Sequence, residues 1–257
     1  MNITSFQNPR IKQIIKLRDD KKQRQLNKMM LVEGWDEIQL ALHAGYQPQT
    51  LIIAPELTNR KFDDVSTETL TLSKAVFEKI SYRQNPDGWL SVFHTPDKSL
   101  QDIKLGPEPL LIVAESIEKP GNLGAILRTA DAVGVDALLV CDPRTDIYNP
   151  NVVRASRGTL FTVPTIVLSN MNAYAFLRKS GITIIAATPQ ADSDYTSQDL
   201  SGHLAIVVGT EDKGLSEFWL QNADYKTRIP MMGKVNSLNV SIATALIVYE
   251  ARRQRRH

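Results

Sequence analysis

The stretch Leu110-Leu-Ile-Val-Ala114, followed after a short polar break by Asn122-Leu-Gly-Ala-Ile-Leu-Arg128-Thr-Ala130, decides how the second half of this chain folds. Five apolar residues without alternation read as a strand buried on both faces. The segment after it carries apolar residues at helical spacing and runs into Gly134, so it reads as a helix over 124–133 with a left-handed stop. The same alternation then recurs. Strands are expected over 137–141, 182–187 and 204–208, and helices over 171–179, 215–222 and 237–253. Continuous apolar strands separated by amphipathic helices imply a parallel sheet covered on both sides, a Rossmann-like α/β domain over residues 110–257.

Toward the N-terminus, Pro96, Gly106, Pro107 and Pro109 stand among charged residues, and residues 98–109 read as a linker. Residues 1–97 read as a second, smaller α/β domain. Ile11, Ile14, Ile15, Leu26 and Met30 recur at near-helical spacing, with a break near Asp19 and Asp20. A second helix is expected over 33–44, stopped by Gly45. Strands are expected over 50–54, 70–72 and 89–93, with a short helix over 74–80.

Composition narrows the class. Of the 257 residues, 42% are hydrophobic and 23% charged, the makeup of a folded globular protein and not of a disordered one. No run reaches the roughly 20 apolar residues of a membrane helix. The first ten residues lack the apolar core of a secretory signal, so a cytoplasmic protein is expected. The single cysteine, Cys141, permits no intrachain disulfide and no cysteine-based zinc cluster, and reads as a small buried hydrophobe at a strand end. His43, His94, His203 and His257 stand outside the motifs and read as structural or surface residues, and no metal is expected. The net charge of +2 conceals two basic clusters. One holds Arg10, Lys12, Lys16, Arg18, Lys21, Lys22, Arg24 and Lys28, the other Arg252, Arg253, Arg255 and Arg256. Such clusters are a footprint for phosphate backbones, or else solvated helix ends.

Three segments of the second domain combine glycine with polar side chains at strand ends, where open α/β sheets place ligands. The first is the Asn122–Arg128 stretch. It has Gly121 and Gly124 but not the three glycines of a dinucleotide fingerprint, and Arg128 lies one helical turn beyond Gly124. The second is Val207-Val-Gly209-Thr-Glu211-Asp-Lys-Gly214-Leu215. The third is Ile229-Pro-Met-Met-Gly233, leading into Ser237-Leu-Asn239-Val-Ser241. There Ser237 is a candidate helix cap and Leu238 and Val240 anchor an apolar face.

In this order the segments resemble the SpoU (TrmH) family of RNA 2′-O-ribose methyltransferases, within the knotted SPOUT superfamily. Three motifs, N-x-G-x-x-x-R-T-A, G-x-E-x-x-G-L and I-P-M followed by S-L-N-V-S, stand intact over residues 110–253. Arg154-Ala-Ser-Arg-Gly158 resembles the family's middle loop. Val32-Glu33-Gly34, with the α/β pattern behind it, resembles the family's auxiliary RNA-binding domain, which is akin to a ribosomal protein fold.

The resemblance implies a deep trefoil knot in the second domain, a homodimer through the terminal helix, and S-adenosylmethionine as cofactor. Thr188, Pro189, Gly209, Thr210, Glu211, Gly214, Ile229, Met231, Ser237 and Leu238 are the implied cofactor contacts. Arg128, Asn122, Ser237, Asn239 and Glu211 are the implied catalytic group. Leu238, Ile242, Leu246 and Tyr249 are candidates for the dimer face or the monomer core. The family's arginine is usually written as a base on the 2′-hydroxyl, yet a guanidinium stays protonated in proteins. Arg128 as base and Arg128 as charged clamp both stand at this point. Arg154, Arg157, Arg10, Lys12, Lys21 and Lys22 are the candidate RNA contacts. The expected reaction is 2′-O-methylation in structured RNA, 23S-type ribosomal RNA ahead of tRNA. A non-catalytic RNA-binding assembly factor and a base methyltransferase are the alternatives.

Overall fold

The computed structural model describes residues 2–62, 67–210 and 212–255. In chain order the elements are β1 (Asn2–Ile3), α1 (Pro9–Asp19), α2 (Lys21–Asn27), β2 (Met29–Glu33), α3 (Trp35–His43), β3 (Pro48–Ile53), β4 (Glu68–Leu72), α4 (Lys74–Ile80) and β5 (Trp89–His94). They continue with β6 (Leu110–Glu115), α5 (Pro120–Val133), β7 (Ala137–Cys141), α6 (Pro150–Ser156), α7 (Thr159–Thr162), β8 (Thr165–Leu168), α8 (Asn170–Lys179) and β9 (Thr183–Ala187). The last are β10 (Leu204–Val208), α9 (Glu217–Asn222), β11 (Tyr225–Thr227) and α10 (Val240–Gln254). The chain divides into two compact units. One holds the residues up to Asp97 together with Asp146–Thr162, the other Lys98–Thr145 and the residues from Val163 onward.

The second unit is a six-stranded sheet in the order β11-β9-β10-β6-β7-β8, every neighbouring pair parallel. β6, β7 and β10 are buried along their whole length, which is why their sequences show no polar alternation. Leu111, Val113, Leu139, Ile184 and Val207 pack on one face against Leu177 of α8 and Trp219 of α9. The other face is covered by α5 and α10, whose Leu123, Ile126, Leu127, Ile247 and Val248 are buried. Because all strands run one way, their C-terminal ends share one edge, the ligand edge of such sheets.

The first unit is a mixed sheet in the order β1-β4-β3-β5-β2. α1 and α4 cover one face through Ile11, Ile14, Leu17, Val76, Phe77 and Ile80. α3 and α6 both pack on β2, with α7 against α3. Residues 146–162, which the sequence alone assigned to the second domain, thus help build the core of the first unit. Arg24 Nε reaches Asp146 Oδ2 over 2.7 Å with both side chains buried, and the Tyr46 and Phe161 rings meet edge to face. Gly158 has φ +85°, and a Cβ there would lie 2.6 Å from Leu40 Cδ1. The positive φ is what demands glycine here, since Leu40 Cδ1 is the end of a flexible side chain.

Several expectations shift in register or type. Met30, read on a helical face, lies in β2 because Lys28 turns left-handed at the end of α2 and frees the chain to pair with β5. Glu33 ends that strand, and α3 begins only after Gly34. α6, α7, β8 and β11 were not anticipated; each is seven residues or shorter, too short to carry a periodic signal. Within 98–109, read as linker, Leu100–Asp102 forms a 3-10 turn closed by a capping box, and Leu100 and Ile103 pack on the second unit's core. Ser237 does not cap the terminal helix. Asn239 does, accepting from Ser241 N at 3.0 Å, so the helix starts at Val240. No helix among the described residues is long and apolar enough to cross a membrane.

Candidate active site

Three strand ends and the start of α10 enclose the site. After β10, Gly209 lets the chain fold back on itself. Thr210 and Gly214 exchange backbone hydrogen bonds at 3.0 Å each way, and Gly214 takes φ +68°. A Cβ on Gly209 would sit 2.3 Å from the Gly214 carbonyl oxygen, so this loop closes only around glycine. The segments after β9 and β11 are zipped together. Thr188 N donates to Thr227 O at 2.9 Å, Arg228 N to Ser193 O at 2.9 Å, and Arg228 Nε to Asp194 Oδ1 at 2.8 Å.

These loops and the start of α10 surround a pocket of about 680 Å³. Leu215, Leu220, Ile229, Leu238, Val240 and Ile247 supply its apolar wall, while Thr188, Gln190, Asp212, Lys213, Lys226 and Arg228 supply polar and charged groups. Of the expected cofactor contacts, Thr188, Pro189, Gly209, Thr210, Gly214, Ile229, Met231, Ser237 and Leu238 all line it. Glu211 lies outside the described residues. Gln190, Lys213, Lys226, Arg228 and Asn236 also line the pocket and were not singled out, since isolated polar residues in loops carry no pattern.

The expected catalytic group divides. Asn239 Nδ2 donates to Asn122 Oδ1 at 3.1 Å, which joins the start of α10 to the first turn of α5. Ser237 is exposed on the pocket wall. Arg128 is exposed on α5, one turn beyond Gly124, and is not among the pocket-lining residues. A residue the sequence reading missed is Glu115, buried at the end of β6. Its carboxylate accepts from Ser216 N at 2.8 Å, Ser216 Oγ at 2.6 Å and Asn170 Nδ2 at 2.7 Å. It thereby anchors the residue that ends the Gly209–Leu215 loop. A carboxylate closing an otherwise apolar strand was the available signal. Cys141 ends β7 fully buried, and burial pushes its thiol pKa up. No cluster of three or more His, Cys, Asp or Glu suited to a metal ion occurs among the described residues.

The basic clusters sort into structural and free charges. Arg24 is buried, and Arg18 donates to the Lys79 and Ile80 carbonyls. Arg10 pairs with Glu68, and Lys28 with Asp97. Lys12, Lys21 and Lys22 are exposed on α1 and α2, and Arg154 and Arg157 at and just beyond the end of α6. At the C-terminus Arg252 donates to the carbonyls of Val133 and Gly134, and Arg255 to those of Glu108, Pro109 and Gly202. Arg253 pairs with Glu250. Arg252 and Arg255 are fasteners of the second unit, which a count of charges could not distinguish from an RNA contact.

Residues 109–249 match the family described as SpoU rRNA Methylase, and residues 8–91 match the MRM3-like substrate binding domain. The chain is 28% identical over 251 residues to the 23S rRNA (guanosine(2553)-2′-O)-methyltransferase RlmP of Bacillus subtilis (strain 168), covering 97% of this chain and 98% of that one. Among solved structures, an RNA 2′-O ribose methyltransferase superposes with a TM-score of 0.87 at 38% identity, covering 99% of each chain. The AdoMet-bound rRNA methyltransferase from Sinorhizobium meliloti superposes at 0.89 and 29% identity, covering 98% of this chain and 97% of that one.

Proposed function

The chain belongs to the SpoU rRNA methylase family, and from that premise we propose that it methylates a ribose 2′-hydroxyl in structured RNA, with 23S-type ribosomal RNA as the target. The observation that carries this reading is the pocket itself. All three glycine-bearing motifs converge on it or are bonded to it, with Asn239 tying the first to the third.

S-adenosylmethionine fits these residues. A pocket of about 680 Å³ falls in the range of about 300–1,000 Å³ that holds a ligand of this size. Its apolar wall suits an adenine ring. Asp212, Lys213, Lys226 and Arg228 offer both signs of charge to an amino-acid zwitterion. When bound, the cofactor supplies an electrophilic methyl group on a sulfonium centre. The protein's own work is then to position and to stabilise charge. Gly209 lets the chain close through the Thr210–Gly214 pair of backbone hydrogen bonds beside the pocket, and Glu115 anchors the following Ser216. Asn122 and Asn239 hold the start of α5 against the start of α10, which sets the helix bearing Arg128. A guanidinium remains charged in a protein, so Arg128 acts as a clamp on phosphate and on the developing alkoxide, and the proton leaves through phosphate or water.

The finer organisation belongs to the same proposal. Residues 1–97, together with 146–162, serve as the RNA substrate-binding domain, and 98–145 with 163–257 as the methyltransferase domain. Supporting the trefoil knot are the zipped segments after β9 and β11, beyond which α10 returns to α5 and β10. Supporting the homodimer is the stripe of Ile242, Leu246 and Tyr249, exposed along α10 at spacings of four and three. A ribosomal RNA substrate supports a cytoplasmic site of action.

The test is methyl transfer from tritiated donor to unmethylated 23S-type ribosomal RNA, with nucleoside mass spectrometry of the product. A 2′-O-methylated nucleoside is expected. RNA binding without incorporation points to an assembly factor, a methylated base to a base methyltransferase, and transfer to tRNA alone to a tRNA enzyme.

A further inference from the structure

We propose that Tyr82, locked to Asn151 and Arg154, forms a stacking platform for an unstacked base of the RNA substrate. This rests on the reading above that the substrate is RNA. Nothing in the sequence motifs marks Tyr82; the platform emerges where the loop after α4 meets α6 within the first unit.

The loop is held from beneath. Glu33, buried at the end of β2, accepts from Ser81 Oγ, from Tyr82 N at 2.8 Å and from Arg83 N at 3.2 Å. Arg83 in turn donates to the Glu33 carbonyl at 3.0 Å and to Glu37 Oε1 at 2.6 Å. One buried carboxylate thus fixes three successive residues, and this is the geometry that presents a side chain without backbone freedom. Ser81 points inward and is 9% exposed, whereas Tyr82 is 43% exposed. A large ring held rigidly in solvent loses little entropy when a flat partner arrives.

The side chain is fastened as firmly as the backbone. Asn151 Nδ2 donates to the Tyr82 hydroxyl, and Arg154 Nη2 donates to Asn151 Oδ1 at 3.2 Å. The Arg154 guanidinium carbon lies over the Tyr82 ring, 5.7 Å from its centroid. Two other arginine–aromatic pairs occur among the described residues, and both differ in one respect. Arg60 over Trp35 pairs with Asp36, and Arg178 over Tyr174 pairs with Asp224. Arg154 has no carboxylate partner among the described residues, and neither has Arg157, exposed three residues further on. Their charge stays uncompensated beside an exposed ring. An aromatic plane, a guanidinium plane and free positive charge together match a nucleobase and its phosphate. A duplex keeps its base faces stacked internally and presents phosphates, 2′-hydroxyls and base edges, so a stacking platform selects RNA with a splayed or single-stranded base.

The test uses the full chain with two fluorescently labelled probes, decauridylate and a ten-base-pair RNA duplex, titrated by anisotropy at several salt concentrations. Tyr82→Ala is expected to weaken decauridylate binding by about tenfold or more and to leave duplex binding within about twofold. Tyr82→Phe, which keeps the ring but loses the bond to Asn151, is expected to lose several-fold less affinity than Tyr82→Ala. Arg154→Ala weakens both probes and lowers the salt slope by about one. Unchanged decauridylate affinity in a folded Tyr82→Ala protein overturns the platform, and so does an equal loss for both probes. If Tyr82→Ala does not fold, wild-type protein is irradiated with a decamer carrying 4-thiouridine. A crosslink to the peptide containing Tyr82 supports the platform, and crosslinks confined to other peptides overturn it. Methyl transfer by the wild type is measured in parallel. Absent transfer with the Tyr82 effect intact overturns the enzymatic reading alone, and transfer without the effect overturns the platform alone.

Discussion

Asn239 and Asn122 are joined by a hydrogen bond of 3.1 Å that spans 117 positions of sequence. Asn239 also caps α10, accepting from Ser241 N at 3.0 Å and Ser241 Oγ at 2.6 Å. One side chain therefore starts the terminal helix and ties it to the helix that carries Arg128. Both asparagines belong to motifs that sequence alone presents as separate, and their bond makes one site of the two.

Because the two amides act as a unit, removing either should cost nearly what removing both costs. Asn122→Ala and Asn239→Ala are each expected to lower methyl transfer at least tenfold. The double variant should fall short of the product of the two by a coupling energy of about 0.5–3 kcal/mol. Single-turnover rates of the four proteins measure this, and strictly multiplicative losses would show the bond to be idle.

Arg128→Ala should separate turnover from cofactor binding. The side chain is exposed and does not line the pocket, so calorimetric affinity for S-adenosylmethionine should stay within about threefold of wild type. Loss of one charge-stabilising donor lowers turnover by about 10²–10³-fold. A parallel loss of cofactor affinity would instead assign Arg128 to the pocket.

Gly209→Ala should do the reverse and act on the cofactor. The new methyl group would meet the Gly214 carbonyl oxygen at 2.3 Å and Leu215 N at 2.7 Å. Backbone atoms cannot swing aside as a flexible side chain can, so the loop must open. Cofactor affinity by calorimetry should drop at least tenfold while the melting temperature of the first unit stays unchanged. Retained affinity would show that the loop tolerates a second shape.

Asp146→Ala tests the docking of residues 146–162 on the first unit. Arg24 is 3% exposed and its side chain spans Asp146, the Leu17 carbonyl and the Arg18 carbonyl. Removing the carboxylate leaves a buried, uncompensated cation, at a cost of about 3–5 kcal/mol. Urea unfolding of wild type and variant reads this directly, and a change under about 1 kcal/mol would mean that the pair is solvated.

Alkaline pH should destabilise the fold. Burial pushes the Tyr46 phenol up to about 12, and burial pushes the Cys141 thiol up as well. The unfolded chain releases these protons near its ordinary values of about 10 and 8.5. The folded state therefore binds more protons above pH 9, and stability must fall as pH rises. Their contribution is complete below about pH 8 and is lost progressively as the pH climbs toward 12. Melting temperatures from pH 7.5 to 11 should decline, and Cys141→Ala should flatten the early part of that decline. A level profile in the wild type would contradict both assignments.

The readability of the sequence followed the range of the forces involved. Leu110–Glu115, Ala137–Cys141 and Leu204–Val208 are legible because a central strand of a covered sheet must be apolar throughout. Gly45 and Gly134 are legible because each has positive φ, a local demand on the backbone. The segment 146–162 was not legible. Its two helices are seven and four residues long, and what stabilises them is Arg24, Tyr46 and Leu40, over a hundred positions away. The arginines of the C-terminus illustrate the same limit. A run of positive charge looks alike whether it meets phosphate or, as Arg252 and Arg255 do, the carbonyls that end strands and helices.

By itself, then, the sequence determined the parallel α/β sheet, the order of the three glycine-bearing motifs and the chemical types gathered in them. Those follow from burial and backbone sterics, which act over a few residues. The tertiary structure decided which of those residues meet: Asn122 with Asn239, Glu115 with Ser216, and the loops after β9, β10 and β11 around one pocket. It also decided that Glu33 should carry Tyr82 and that Arg154 should cover it. Such pairings depend on how strands are ordered in the sheet, and strand order is a property of the packed chain that no local spacing encodes.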